Sequence, residues 1–236
     1  GTIDNNGFID LSITANDATL YGIKINSGIS ATGSLINDNE ITIDLDVNDD
    51  VSAAGIYVDG GAAMAGEIIN NGLISIIDTT DGYSHTFYGI EVRDELTGTL
   101  TNDGDIILSA LATDDVYLEG IHVSGVGSTG VLTNSGLISL TALNSDDTLE
   151  ATGIHIFGNM NGTLSNTGQI LISATQDNYT TSSGVSGRGI WVEGAVDGTI
   201  TNEGEITATT TSIDDSTNYA YGIYIDNDLT GSITNT

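Results

Sequence analysis

One five-residue pattern, G-x-[I/L]-x-N, occurs eight times in this chain, beginning at Gly1, Gly33, Gly66, Gly98, Gly130, Gly162, Gly198 and Gly231. The steps between copies are 32, 33, 32, 32, 32, 36 and 33 residues. Self-similarity at such a period means that one supersecondary unit is stacked many times, because a unit this small cannot bury its apolar face alone. The fifth position is asparagine in every copy: Asn5, Asn37, Asn70, Asn102, Asn134, Asn166, Asn202 and Asn235.

Within each unit the inward set alternates strictly, as in Ile3, Asn5, Gly7, Ile9, Leu11 and Ile13, or Leu132, Asn134, Gly136, Ile138, Leu140 and Ala142. A period of two is the signature of a β-strand with one buried face. Two residues before the repeat glycine the same parity holds Ala31, Met64, Leu96, Met160, Val196 and Leu229, with Ser128 as the exception. A second motif, G-I-x-[V/I], follows at Gly22, Gly55, Gly89, Gly120, Gly153, Gly189 and Gly222 and adds an inward pair such as Ile190 and Val192. These spacings predict an all-β chain. It is a parallel β-helix (β-solenoid) with three short strands per coil of about 32–33 residues, seven coils and the start of an eighth at residue 231, all in one segment spanning 1–236.

Stacked coils place like residues above one another about 4.8 Å apart. An asparagine column suits that geometry, since each side-chain amide both donates and accepts and can bond its counterpart one coil along. Asparagine also tolerates the left-handed backbone of a tight bend, and a glycine two residues later tolerates it better. Only Asn39 replaces that glycine. The asparagine column is therefore read as structural. With no proline and no cysteine in the chain, rigidity has to come from hydrogen bonds and packing.

The runs Gly198–Gly204 (GTITNEG), Gly98–Gly104 (GTLTNDG) and Gly162–Gly168 (GTLSNTG), each followed by a G-I motif, resemble autotransporter passenger domains and related giant bacterial adhesins. The resemblance covers the whole chain. It implies a right-handed parallel β-helix exported across an outer membrane, and so an extracellular or bacterial cell-surface location. Residue 1 does not begin a signal peptide, so any export signal is expected outside these residues. Both ends stop inside the pattern without a cap. The expectation is either a piece of a longer array or coils that meet end to end.

Thirty-three acidic side chains against only Lys24, Arg93 and Arg188 give a formal charge of −30. That field repels nucleic-acid backbones and anionic lipid, which excludes nucleic acid as a partner. No apolar run approaches the roughly 18 residues of a membrane-spanning helix, so direct membrane insertion is not expected. Eleven to thirteen residues beyond each repeat asparagine stand Asp17, Asp49, Asp50, Asp81, Asp114, Asp115, Asp146, Asp147, Asp177, Asp214 and Asp215. Stacking aligns them into an acidic ridge. Two such charges about 5 Å apart repel by ~0.8 kcal/mol in water. Bridging by Ca²⁺, which takes several oxygens at adjustable geometry, would relieve this. The alternative, preferred here, is a solvated turn ridge that keeps a secreted rod soluble. No cofactor is required.

On the outer side of the G-I-x-V strand the stacked positions are Lys24, Tyr57, Glu91, His122, His155, Trp191 and Tyr224, with Tyr21, Tyr88 and Tyr221 before the same glycines. Tyr57, His122, His155, Trp191 and Tyr224 form a candidate face for glycans or another partner, weighed against ordinary strand packing, which is favoured. His122 and His155 neighbour each other across one rung. A metal site needs further ligands, and His85 is expected elsewhere, in a loop before Tyr88, so the pair is read as a surface pair. The unit beginning at Gly162 carries about four extra residues around Thr180–Gly187 (TTSSGVSG), a projecting loop that either recognises something or is a tolerated insertion.

β-Helices include polysaccharide lyases and hydrolases, so catalysis has to be weighed from the residues. Three scattered cations do not make a lyase site. The carboxylates lie in a regular turn column rather than in a cleft, and no G-x-S-x-G elbow with a histidine partner appears. The chain is read as a non-enzymatic structural or adhesive extracellular rod. Its expected partners are host or matrix glycans or proteins, or other copies of itself. The alternatives are a self-assembling filament subunit, a glycan-binding adhesin and a polysaccharide-degrading β-helix.

Overall fold

The computed structural model describes residues 1–144, 147–177, 184–212 and 217–236. Its strands form three parallel sheets that run the length of a β-solenoid. The first sheet has eight four-residue strands, from Thr2–Asn5 to Ser232–Asn235, each ending on a repeat asparagine. The second has seven strands, from Ile9–Ala15 to Glu205–Ser212, and the third has seven, from Ala18–Ile25 to Asn218–Ile225. Each coil contributes one strand to each sheet, so every strand pairs only with the coils before and after it. No helix among the described residues is long and apolar enough to cross a membrane.

The repeat sets the register. Ile3, Leu35, Ile68, Leu100, Leu132, Leu164, Ile200 and Ile233 stand in one column. In the second sheet alternation is strict: Ile41, Ile43, Leu45 and Val47 are buried, while Thr42, Asp44 and Asp46 face outward. Like side chains thereby fill a continuous interior, and in the central coils the aliphatic columns are wholly enclosed.

The third sheet departs from plain alternation. Pairing skips Gly22, Gly55, Gly89, Gly120, Gly153, Gly189 and Gly222, because the strand turns a corner there. In the fourth coil Val116 and Leu118 point inward before Gly120, and Ile121 and Val123 point inward after it. The inward parity resets by one residue, so positions three apart across the glycine face outward together. A Cβ at Gly120 would sit 2.4 Å from Ile138 Cγ2 and 2.6 Å from the Gly153 carbonyl oxygen. The corner glycine makes room for the first isoleucine of the second sheet one coil on.

Two sequence expectations need correction. The glycine two residues after each repeat asparagine does not take the left-handed backbone. Among the described residues only Gly28 and Gly61 have positive φ. The glycine is needed for close axial approach: a Cβ at Gly104 would lie 2.0 Å from the Gly72 carbonyl oxygen, and at Gly136 1.9 Å from that of Gly104. At Asn39, the one replacement, the Glu40 N–H donates to Asn39's own Oδ1 at 3.0 Å. In other coils the residue at that place, such as Asp105 or Gln169, donates to the carbonyl of the coil before.

The second correction concerns the column just before the repeat glycine. Ala31 and Ser128 are exposed, and Ile29 and Val126 take their places. In both coils a short turn, closed by Gly33 N–H to Ser30 O (2.7 Å) or Gly130 N–H to Gly127 O (2.8 Å), inserts two residues before the glycine.

Candidate functional site

The asparagine ladder is continuous. Asn5 Nδ2 donates to Asn37 Oδ1, Asn37 to Asn70, Asn70 to Asn102, Asn102 to Asn134, Asn134 to Asn166, Asn166 to Asn202 and Asn202 to Asn235, all at 2.6–2.7 Å. The second amide hydrogen of Asn70, Asn102, Asn134 and Asn202 reaches the carbonyl of the glycine two residues on, at 3.1–3.3 Å. Five of these side chains, Asn37 to Asn166, are completely buried. All their amide groups are spent on the fold.

Of the acidic turn residues, Asp17, Asp49 and Asp50 bring carboxylate oxygens within 4.8 Å of one another in solvent, and the half-buried Asp114, Asp115 and Asp147 do the same three coils further along. Asp115 Oδ1 accepts the Thr148 N–H at 3.1 Å. Asp81 lines a groove with Asn48 and Asp114, and Asp177 is exposed. Asp146, Asp214, Asp215 and the 180–183 part of the long insertion lie outside the described residues, while Val185–Val192 is a strand of the third sheet.

The outward column of the third sheet reads Lys24, Tyr57, Glu91, His122, His155, Trp191, Tyr224, each paired with the next. Its rings cover one another. Trp191 stacks on His155 at 4.1 Å between centroids with planes 3° apart, Tyr221 on Tyr224 at 4.6 Å, and Tyr21 tilts over Tyr57 at 4.7 Å. Tyr57 and His155 are buried as a result. The face offers ring edges and partial faces rather than a flat platform for a sugar.

All three cations of the chain gather there. The Lys24 ammonium lies 3.9 Å from the Tyr21 centroid, and the guanidinium of Arg93 is 5.5 Å from that of Tyr57. Arg188 sits 4.1 Å over Trp191. Cation–π attraction and the carboxylates of Glu91 (2.7 Å from Arg93) and Glu150 (3.3 Å from Arg188) hold them in place.

At the centre of this face the corner glycine creates a cluster that alternation alone conceals. Glu119 and His122 flank Gly120 and both point outward, with His155 one coil on. His122 Nδ1 is 2.6 Å from Glu119 Oε2, and His155 Nδ1 is 3.0 Å from Glu119 Oε1. On its other side His155 Nε2 lies 3.0 Å from Glu193 Oε1. His155 Nδ1 is buried, and its 3.0 Å approach to Glu119 Oε1 is an ion-pair contact rather than a well-formed hydrogen bond. Burial raises the Glu119 pKa, but contact with His122 and His155 outweighs it and brings it to about 2. Burial lowers that of His155, and the two carboxylates overcome this and raise it. Reading the histidines as a surface pair without a third ligand missed Glu119. The signal was available in register, for Glu119 occupies the column of Tyr88 and Tyr221.

His85 is also misplaced by the sequence reading. It opens the third-sheet strand His85–Leu96 and points into the core, where Val51 and Val116 stand in adjacent coils. Its Nε2 lies 3.6 Å from Asp78 Oδ2, too far for a hydrogen bond, and both ring nitrogens are unbonded. Burial drives the His85 pKa down to about 4, opposed by Asp50 and Asp81. Burial also raises the Asp78 pKa, opposed by its bonds to Thr80.

Comparison with protein-family models, with curated proteins and with solved structures yields no match.

Proposed function

We propose that this chain is a structural and adhesive rod of a bacterial cell surface, a non-catalytic β-solenoid that supplies length, rigidity and display. The observation that carries the reading is the unbroken asparagine ladder, seven consecutive side-chain bonds through all eight strands of the first sheet. Such a column makes each coil a copy of the last and ties bending of one rung to its neighbours. The regular repeat leaves the acidic turns in an even row, whereas a glycosidase needs paired carboxylates across a cleft. The family resemblance of the glycine–asparagine runs supports an extracellular place, and the strong negative charge suits a soluble surface rod. The aromatic and cationic face is where a host or matrix glycan or protein would make contact, because it gathers all three cations and most of the stacked rings of a chain whose formal charge is −30.

Electron microscopy and single-molecule stretching test this. Stiff rods that unfold rung by rung under force support it. Release of reducing sugar from uronate polymers above background would overturn it.

A filament subunit is the second reading. Whatever continues the stack, a further coil or a second copy, meets an asparagine at each end with matching polarity. Asn5 enters the ladder as donor, leaving its Oδ1 to accept, and Asn235 enters as acceptor, leaving its Nδ2 to donate. Concentration-dependent filaments that vanish in Asn235→Ala would favour assembly over a single rod.

A further inference from the structure

We propose that Glu119, His122 and His155 form a zinc site that staples the fourth coil to the fifth, with Glu193 orienting one of its ligands. Donor atoms of the three residues lie within 4.8 Å of one another. Two imidazole nitrogens and one carboxylate are the set that Zn²⁺ takes, whereas Ca²⁺ and Mg²⁺ select oxygen alone.

Four features point to a metal rather than to a hydrogen-bond network. First, His155 Nδ1 is buried without a hydrogen bond although Glu119 Oε1 is 3.0 Å away. A buried imidazole nitrogen that faces a carboxylate without a well-formed hydrogen bond is left poorly satisfied, and a cation between the two would satisfy both. Second, Glu193 lies 3.0 Å from Nε2 of the same ring, placed to accept the hydrogen there when a metal holds Nδ1. This carboxylate–histidine arrangement is how proteins orient a metal-bound imidazole. Third, the ring of His155 is fixed by Trp191, stacked at 4.1 Å, and by the edge of His122 at 5.1 Å. Fourth, Glu119 stands between the two histidines with one oxygen toward each, so a small rotation of its carboxylate opens the centre. Tetrahedral zinc with bonds of roughly 2.0–2.1 Å needs ligand atoms about 3.3 Å apart. The contacts of 2.6 and 3.0 Å run to different oxygens of Glu119, and the three donor atoms, one from each residue, lie within 4.8 Å of one another, so the ligands close by up to about 1.5 Å around the ion.

Charge favours the same occupant. Two neutral imidazoles, one carboxylate and Zn²⁺ leave a single positive charge beside Glu193, in a chain whose formal charge is −30 and which concentrates cations at its surface. Glu91, the next member of the column before His122, is already held by Arg93 and does not compete. Glu119 and His122 keep about a sixth of their side-chain surface in solvent, so water completes the fourth position.

The chain has a single tryptophan, Trp191, lying on the proposed ligand ring, so its fluorescence reports occupancy directly. Zn²⁺ is titrated into the whole chain at neutral pH, with physiological salt and excess calcium to saturate the acidic turns. The expected result is one saturable zinc per chain with a change in Trp191 emission, and with Co²⁺ the visible absorption of a tetrahedral N/O site. His122→Ala and Glu119→Gln, both at partly exposed positions, should abolish the saturable phase, and Glu193→Gln should weaken it by about 10–100-fold. Asp17→Asn, a carboxylate in another part of the coil, should leave it unchanged. Absence of a one-to-one phase in the parent chain, or equal binding by His122→Ala and Glu119→Gln, overturns the proposal. So does loss of zinc binding in Asp17→Asn to the same extent, since that is the behaviour of a diffuse acidic surface.

Discussion

Replacing one glycine by alanine at two equivalent positions separates the two explanations of the bend column. Gly7 and Gly104 both stand two residues after a ladder asparagine, and neither has positive φ. A Cβ on Gly104 would be 2.0 Å from the Gly72 carbonyl oxygen, backbone that cannot swing away, while a Cβ on Gly7 meets nothing within 4 Å. To admit the methyl group the fourth coil must lift from the third. That breaks three bonds: Asp103 N–H to Asn70 O (2.8 Å), Gly104 N–H to Asn70 O (2.9 Å) and Asp105 N–H to Gly72 O (3.0 Å). At about 1 kcal/mol each, Gly104→Ala should cost at least ~3 kcal/mol. Gly7→Ala should be neutral or stabilising by about 0.4–1 kcal/mol, because alanine narrows the unfolded ensemble. Urea unfolding followed by circular dichroism reads both variants, and a weakened rung can also split the transition, visible as a lower slope. If the glycines served a left-handed bend, both variants would lose roughly 1–2 kcal/mol. Equal costs at residues 7 and 104 would refute the stacking argument.

Asn102→Ala orphans Asn134 Oδ1 and leaves Asn70 Nδ2 only its weaker bond to Gly72 O, so a loss of about 2–5 kcal/mol is expected by denaturant titration, against under about 1 kcal/mol for Asn235→Ala at the ladder's end. His85→Leu replaces two unbonded buried nitrogens with the residue type of Leu149 in the same column and should stabilise the chain by about 1–3 kcal/mol at pH 7. In the parent chain the unfolded state protonates His85 near 6.5 and the folded state only near 4, so stability is intact above 6.5 and falls by up to ~1.4 kcal/mol per unit as pH drops through that window. The raised Asp78 partly offsets the slope at its lower end, and an unchanged slope in His85→Leu would dismiss the histidine as its source. For the acidic turns at Asp17, Asp49 and Asp50, sodium chloride and calcium at equal ionic strength should raise the melting temperature equally if the ridge is only solvated charge; a calcium-specific gain reversed by chelator would establish a bound ion.

The amino-acid sequence by itself determined the solenoid. Its period sets the coil, its alternation sets which side chains face inward, and the asparagine in every unit sets a column that can satisfy itself only by stacking in register. These are local properties repeated in the chain, and repetition turns each into a tertiary statement. The structure alone decided whatever depended on how far one coil lies from the next. The glycines beside the ladder are there because the carbonyl below leaves no space for a Cβ, not because of their own dihedral angles. Gly120 turns a corner, resets the parity of its strand and so brings Glu119 to His122 and His155, a juxtaposition that period two assigns to opposite faces. Ile29 and Val126 take the core positions of Ala31 and Ser128 because short turns add two residues there, and His85 enters the interior because its strand begins at the inward register of Val51 and Val116. A repeat records what every coil shares. What distinguishes one coil from its neighbours, and therefore the candidate metal centre, arises where departures from the repeat meet across the short distance between rungs.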